Sequence, residues 1–236
     1  MTLSGLSATW FGHGTFLLTS PEGRRILMDP WLEGNPSCPP ALKVPPPVDL
    51  VLVTHGHFDH IHDAAAVWLA TGATVVGIFE VCQWLESRRG VTKTSGMNKR
   101  GTQELCGIRI TMVDARHSSS YVDDGVMTYL GEAAGYVLRF ENGLSVYFAG
   151  DTALFGDMAL IRELYAPTIA FLPIGDLYTM DPVAAAKATA LLGVRTVIPM
   201  HYGTFPALTG RPEQLRELVA PLGVEVLSPA PGETVS

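Results

Sequence analysis

The chain has 236 residues, enough for one large domain or two small ones, and its 47% hydrophobic and 17% charged residues make a globular composition with ample material for a core. A net charge of -7 and a pI near 5.4 disfavour a general nucleic-acid binder. No run of about 18 consecutive apolar residues marks a membrane-spanning helix.

The opening, Met1 to Gly5, lacks the basic and apolar blocks of a signal peptide. Cys38, Cys82 and Cys106 show no C-x-x-C pairing, which fits free thiols in a reducing cytoplasm. Apolar runs at Ala8 to Phe11, Thr15 to Thr19 and Arg25 to Met28, with a Pro21-Glu22-Gly23 turn, predict an antiparallel meander. His13 lies between Gly12 and Gly14 in a tight loop. It is either a turn histidine bonded to backbone or a contributor to a site. Asp29, at a strand end before Pro30, either orients a ligand histidine or is a turn residue. Gly34 to Pro47 carries six prolines and reads as a stiff surface loop joining two strands.

The most informative stretch is Thr54-His55-Gly56-His57-Phe58-Asp59-His60. It follows the strand-like run Val48 to Val53 and precedes a helix expected over Ile61 to Leu69. Four metal-capable side chains within six residues, where a strand gives way to a helix, can converge on one or two divalent ions. His62 follows directly and is not assigned as a ligand.

Further strands are expected at Thr74 to Ile78 and Ile108 to Val113, and a helix at Glu80 to Arg89 with Trp84 in the core. Val91 to Gly101 reads as loop or edge strand. His117 follows the second of those strands, and the acidic, glycine-containing stretch Tyr121 to Gly135 reads as a loop over a site. Tyr136 to Phe140 and Leu144 to Ala149, joined by Asn142-Gly143, form a hairpin that ends in Gly150-Asp151. The glycine there permits close backbone approach. A helix over Met158 to Tyr165, a buried strand at Ile169 to Pro173, and a helix capped by Asp181 and running through Leu192 come next. A strand at Thr196 to Met200 ends in His201. A helix over Pro212 to Ala220 and a strand at Val224 to Leu227 complete the chain. His55, His57, Asp59, His60, His117, Asp151 and His201 thus all lie just past predicted strand ends. If those strands enter common sheets in similar sense, seven ligand-type side chains meet at one edge.

This pattern resembles the ligand set of the metallo-β-lactamase superfamily, from about Trp10 to Phe205. The diagnostic pieces are Gly12-His13-Gly14, Asp29-Pro30, the His55–His60 motif, His117 to Tyr121, Gly150 to Phe155, Pro173 to Asp176 and Pro199 to Tyr202. Within the superfamily the chain is similar to a bacterial and archaeal group of metal-dependent hydrolases, and to the L-ascorbate-6-phosphate lactonases. The resemblance implies an α/β (α+β) fold: a four-layer αββα sandwich of two mixed sheets, in one domain over 1–236. It implies a first metal site of His55, His57 and His117, a second of Asp59, His60 and His201, and Asp151 bridging them. The expected activity is hydrolysis of an ester, lactone, amide or phosphodiester by a hydroxide bound at a dinuclear site. Asp59, Asp151 and His13 are the expected catalytic residues, and Tyr121 and Tyr202 are candidate substrate contacts. Five imidazoles and two carboxylates without a thiolate suit Zn, with Mn, Ni or Fe as alternatives. The expected partner is a small-molecule substrate, with Gly34–Pro47 and Tyr121–Gly135 shaping its pocket. No membrane is expected, nucleic acid is disfavoured, and a homo-oligomer is left open.

Other readings fit less well. A serine hydrolase would want a G-x-S-x-G elbow, which Ser118 to Ser120 do not supply. A flavodiiron-type redox enzyme would carry an acidic residue where His57 stands, and a flavodoxin domain besides. A phosphodiesterase or ribonuclease of the superfamily and a non-catalytic metal-binding scaffold stay as alternatives, although the latter would be marked by loss of ligands and all seven are present.

Overall fold

Short apolar stretches alternate with turns along the whole chain, and the computed structural model, which describes residues 3–236, folds them into two seven-stranded mixed sheets. The first takes β1 (Ser7–Trp10), β2 (Phe16–Thr19), β3 (Arg25–Met28), β4 (Leu50–Leu52), β5 (Thr74–Ile78) and β6 (Thr94–Met97). Helices α1 (Phe58–Ile61), α2 (Ala64–Thr71) and α3 (Phe79–Arg89) are threaded between them. The second begins with β7 (Thr102–Leu105) and β8 (Ile108–Asp114). A separate two-stranded hairpin follows, β9 (Ser120–Asp123) and β10 (Val126–Tyr129). Then come β11 (Ala134–Arg139), β12 (Ser145–Phe148), α4 (Met158–Tyr165), β13 (Ile169–Pro173), α5 (Pro182–Leu192), β14 (Thr196–Met200), α6 (Pro212–Val219) and β15 (Glu225–Val226). Last, β16 (Thr234–Val235) returns to the first sheet beside β1.

The sheets face each other across a continuous apolar core. Phe16 of β2 meets Phe171 of β13 edge-on at 5.0 Å and Phe148 of β12 at 6.3 Å, so aromatic rings interlock between the layers. Helices α2 and α3 pack on β4 and β5, and α5 and α6 on β13 and β15, giving the expected four-layer arrangement. Among the described residues no helix is long and apolar enough to cross a membrane.

Strand sense explains why distant residues meet. In the first sheet β3, β4 and β5 run parallel, and β2 runs against β3. The ends of β3 and β4 and the β1–β2 loop therefore share one edge. In the second sheet β12, β13 and β14 are parallel, while β11 opposes both β12 and β8. The end of β8 consequently lies at the same edge as the ends of β12 and β14. The two edges are tied together by Tyr136 Oη donating to Val53 O at 2.7 Å, Ala134 N to Thr54 O at 3.0 Å, and His201 N to His13 O at 3.1 Å.

Two expectations need correction, and two strands were not foreseen. The helix expected over Ile61 to Leu69 is two, because Asp63 is drawn out of register. Its N–H donates to Pro30 O, and its carboxylate accepts from the backbone of Leu32 and Glu33. The first helix thus starts at Phe58 and carries Asp59 and His60. Tyr121 to Gly135 is a hairpin rather than a loop, turning at Asp124 and Gly125, both with positive φ (49° and 76°). The edge strands β7 and β16 are too short and too polar to stand out by alternation.

Candidate metal centre

Each of the seven ligand-type residues sits beyond a strand end at the shared edge: His55 and His57 after β4, Asp59 and His60 on α1, His117 after β8, Asp151 after β12 and His201 after β14. They gather into two triads. In the first, His57 Nδ1 lies 3.0 Å from His55 Nε2 and 3.2 Å from His117 Nε2. In the second, Asp59 Oδ2 lies 3.6 Å from His201 Nε2 and 3.8 Å from His60 Nε2. One atom, Asp151 Oδ2, reaches both. It is 3.0 Å from His201 Nε2, 3.3 Å from His60 Nε2, 3.7 Å from His117 Nε2 and 4.0 Å from His55 Nε2.

Hydrogen bonds behind the triads set which nitrogens face the centre. Asp29 accepts from Thr54 N at 2.7 Å, from Thr54 Oγ1 at 2.7 Å and from His60 Nδ1 at 2.8 Å. Because Thr54 Oγ1 spends its proton on Asp29, it must accept from His55 Nδ1, 3.0 Å away. His55 and His60 are therefore both protonated on Nδ1 and turn Nε2 inward. Asp29 is thus the orienting carboxylate, not merely a turn residue. His13 is fully buried, with Nε2 at 2.8 Å from Asp59 Oδ2 and Nδ1 at 3.0 Å from Thr204 Oγ1. Its Nε2 reaches the same Asp59 oxygen that faces His60 and His201, within 4.8 Å of their ligand atoms, and it does not line the cavity.

The backbone is bent to make room. His13, Asp29 and His201 all hold positive φ (56°, 45° and 55°), a conformation costly to a residue with a side chain and concentrated at functional sites. Gly150 has φ 61°, and a Cβ there would meet Thr54 at 2.7–2.8 Å. A Cβ on Gly14 would meet the His60 ring at 2.9 Å.

Charge divides the triads. Burial, reinforced by neighbouring imidazoles, holds His55 well below the ordinary imidazole range, and His57 and His117 are lowered in the same way. In the second group burial also pulls downward on His60 and His201, but the carboxylates outweigh it. Asp151, Asp29 and Asp59 raise His60 well above its usual value, and Asp151 lifts His201 to about 9. Burial pushes the carboxyls of Asp59 and Asp151 up, yet the imidazoles around them hold both below the carboxylate range. Burial, and then His201, press His13 down to about 4. Burial raises Asp29 above the usual carboxylate value, against the downward pull of His60 and Thr54. All its partners are donors, however, which is the surrounding of a carboxylate.

The set fits a metal. A tetrahedral ion with bonds of about 2.0–2.1 Å to nitrogen needs ligand atoms about 3.3 Å apart, close to the spacing in the imidazole triad. Among the described residues, buried His60 Nε2 and Asp151 Oδ1 have no hydrogen-bond partner, a costly state that a cation relieves.

A cavity of about 570 Å³ opens over both triads, floored by His57, His117, Asp59, Asp151 and His201, with walls from Phe58, Tyr178, Phe205 and Ala207. Two expected substrate contacts lie elsewhere. Tyr121 is buried against Trp84, with its hydroxyl 3.2 Å from the surface residue His62. Tyr202 stacks on Trp10 at 5.1 Å and lines a separate surface hollow. The expected pocket loops, Gly34–Pro47 and Tyr121–Gly135, do not line the cavity either. Thr54, Thr204, Phe58, Tyr178 and Phe205 were not singled out from the sequence. Thr54 and Phe58, inside the histidine stretch, carried a signal of position but none of role.

Residues 24–202 match the β-lactamase superfamily domain. A metal-dependent hydrolase of Solibacter usitatus is 52% identical over 230 residues, covering 98% of this chain and 99% of the relative. A second metal-dependent hydrolase, from Koribacter versatilis, is 50% identical with 100% of both chains covered. Among solved structures, a novel metallo hydrolase from the hyperthermophilic archaeon Ignicoccus hospitalis is 37% identical, with a TM-score of 0.86 over 98% of this chain and 97% of that one. With its fold, its ligand-rich sheet edge and these relatives in agreement, the chain belongs to the β-lactamase superfamily.

Proposed function

We propose that the protein is a metal-dependent hydrolase acting on a small molecule through two divalent ions. Relatives along its full length carry that name. The observation that carries the dinuclear reading is Asp151 Oδ2, which lies within 4.0 Å of ligand nitrogens from both triads. His55, His57 and His117 would hold one ion and Asp59, His60 and His201 the other, with Asp151 shared. Imidazole and carboxylate donors suit Zn, and also Mn, Ni or Fe. Ions so held lower the pKa of water toward neutrality and polarise the oxygen of the bond to be cleaved.

The chain's own groups supply position. The Asp29–Thr54 pair keeps Nε2 of His55 and His60 inward whatever enters the cavity. His13 fixes one oxygen of Asp59. The imidazoles of His60, His13 and His201 around Asp59 hold it as a carboxylate, the form a ligand needs. Phe58 and Tyr178 crowd water away from the opening and fix the substrate's path to the floor.

The test is reconstitution. Chelator-treated protein should hydrolyse no member of an ester, lactone and phosphodiester panel, and zinc should restore turnover as the second equivalent binds. Full turnover by the chelated protein, or saturation of activity at one equivalent, would refute this reading.

A further inference from the structure

The walls of the cavity narrow the substrate class. Its floor carries Asp59 and Asp151, and no lysine or arginine lines it. Two cationic side chains, Lys99 and Arg116, line an adjoining hollow that shares only His117 and Ser118 with the cavity. Lys99 there is already paired with Asp114 at 3.4 Å and Glu132 at 2.9 Å. A charge on the substrate would be met by the proposed ions at the floor and by no side-chain cation of the walls.

Instead the walls are aromatic and built on a buried support. Trp31 is 4% exposed and holds Phe58 edge-on at 5.4 Å on one side and Phe205 stacked at 5.9 Å on the other. Phe58 itself is 52% exposed, as is 59% of Tyr178 on the facing loop. That loop is strained. Asp176 and Leu177 are consecutive non-glycine residues at φ 69° and 44°, closed by Asp176 N donating to Met180 O at 3.0 Å and Leu177 N to Asp176 Oδ1 at 2.8 Å. Such conformations persist where they serve a site. Here the turn puts the Tyr178 ring on the cavity wall. Large apolar rings held open to solvent on rigid supports, above a few convergent polar groups, are the makings of a pocket for an apolar ligand.

We propose that this cavity selects uncharged substrates with an apolar acyl chain or ring (carboxylic esters, lactones or amides) and that Phe58, Tyr178 and Phe205 are its specificity-determining residues. The proposal rests on the hydrolase reading above for its chemistry, but its binding arm does not. About 570 Å³ accommodates an acyl group well beyond acetyl.

The experiment has two arms. Zinc-loaded protein is assayed on 4-nitrophenyl acetate, 4-nitrophenyl hexanoate and bis(4-nitrophenyl) phosphate. The hexanoate should exceed the acetate in kcat/KM by at least about 10-fold, since each added methylene in an apolar pocket favours binding, and the charged diester should be the poorest of the three. F58A and Y178A should each lower the hexanoate-to-acetate ratio by about 10-fold through KM, and Y178F should restore it because the ring, not the hydroxyl, forms the wall. In the second arm, calorimetry with 4-phenylbutanamide, a neutral amide, should show binding that F58A and Y178A weaken by about 10-fold. A diester turned over faster than the hexanoate, or variants that move both esters equally, would overturn the proposal. Amide binding lost in the variants with no probe hydrolysed would sink the hydrolase reading and keep the apolar selectivity. Ester hydrolysis with no amide binding would do the reverse.

Discussion

The two triads share one carboxylate but are solved by opposite physics. His55, His57 and His117 are neutral imidazoles kept so by burial and mutual repulsion, with the hydroxyls of Thr54 at His55 and Ser118 at His57 as positioning contacts. Asp59, His60 and His201 are charge-rich, and Asp29, His13 and Thr204 are packed behind them. The first triad offers lone pairs at neutral pH at no protonic cost. The second holds protons that a cation must displace. On the proposed two-ion reading, the two groups would take a cation by different routes, which mutation and pH should separate.

The largest effect should come from the shared atom. Asp151→Ala removes a ligand from both groups, so activity should fall by about three orders of magnitude or more and both ions should bind more weakly; a variant keeping a tenth of wild-type kcat would break the bridging assignment. Next in size is the selective loss. His57→Ala should release the ion of the imidazole triad and Asp59→Ala the other, each leaving close to one equivalent by elemental analysis. Loss of both ions from either variant would show that the triads are not separable.

A change behind the second triad should be milder. His13→Ala frees one oxygen of Asp59, and losing such an orienting partner costs about 10–100-fold in metal affinity. Titration should show that loss on one ion only, and equal weakening of both would place His13 elsewhere in the network. Tyr121→Phe, remote from the cavity, should change kcat/KM by less than about 2-fold.

Acidity sharpens the contrast in the ion-free protein. The imidazole triad has folded values below the unfolded value of about 6.5, so the unfolded chain gains more protons and stability falls as pH drops below that point. His60 and His201 are raised. Their contribution is complete below about 6.5 and is lost as pH rises toward about 9, the value for His201. Melting temperatures of chelated protein should therefore peak near neutrality and decline on both sides, by about 2–4 °C for each kcal/mol lost. With ions bound the alkaline decline should disappear, while the acid side steepens as imidazoles take protons and release metal below about pH 6. A chelated protein whose melting temperature climbs steadily from pH 6 to 9 would contradict the charge assigned to His60 and His201.

The gathering of the seven side chains was legible because metal-type side chains closing an apolar run are rare, and His55 to His60 follow such a run directly. The β12–β13–β14 side was equally clear, each strand being short, apolar and followed by a helix, of which α5 carries a side-chain cap where Asp181 Oδ1 accepts from Ala184 N at 2.7 Å. Asp29 could be narrowed to two roles, and only the meeting of β3 with β4 decides between them. The role of Thr54 was invisible, since one hydroxyl beside a histidine carries no spacing. The pocket walls were misplaced for a different reason. Phe58 and Phe205 look like core residues in a string, and Tyr178 reaches the cavity only through a left-handed turn that nothing in Asp176-Leu177 announces. The Asp124-Gly125 turn of β9–β10, by contrast, is a hairpin signal that the acidity of its surroundings hid.

The most direct measurement is metal stoichiometry by elemental analysis of zinc-reconstituted wild type, His117→Ala and His201→Ala. The two-triad account predicts two zinc ions per chain in the wild type and one in each variant, with the remaining ion in a different ligand set in the two. One ion in the wild type, or two retained in either variant, would contradict it.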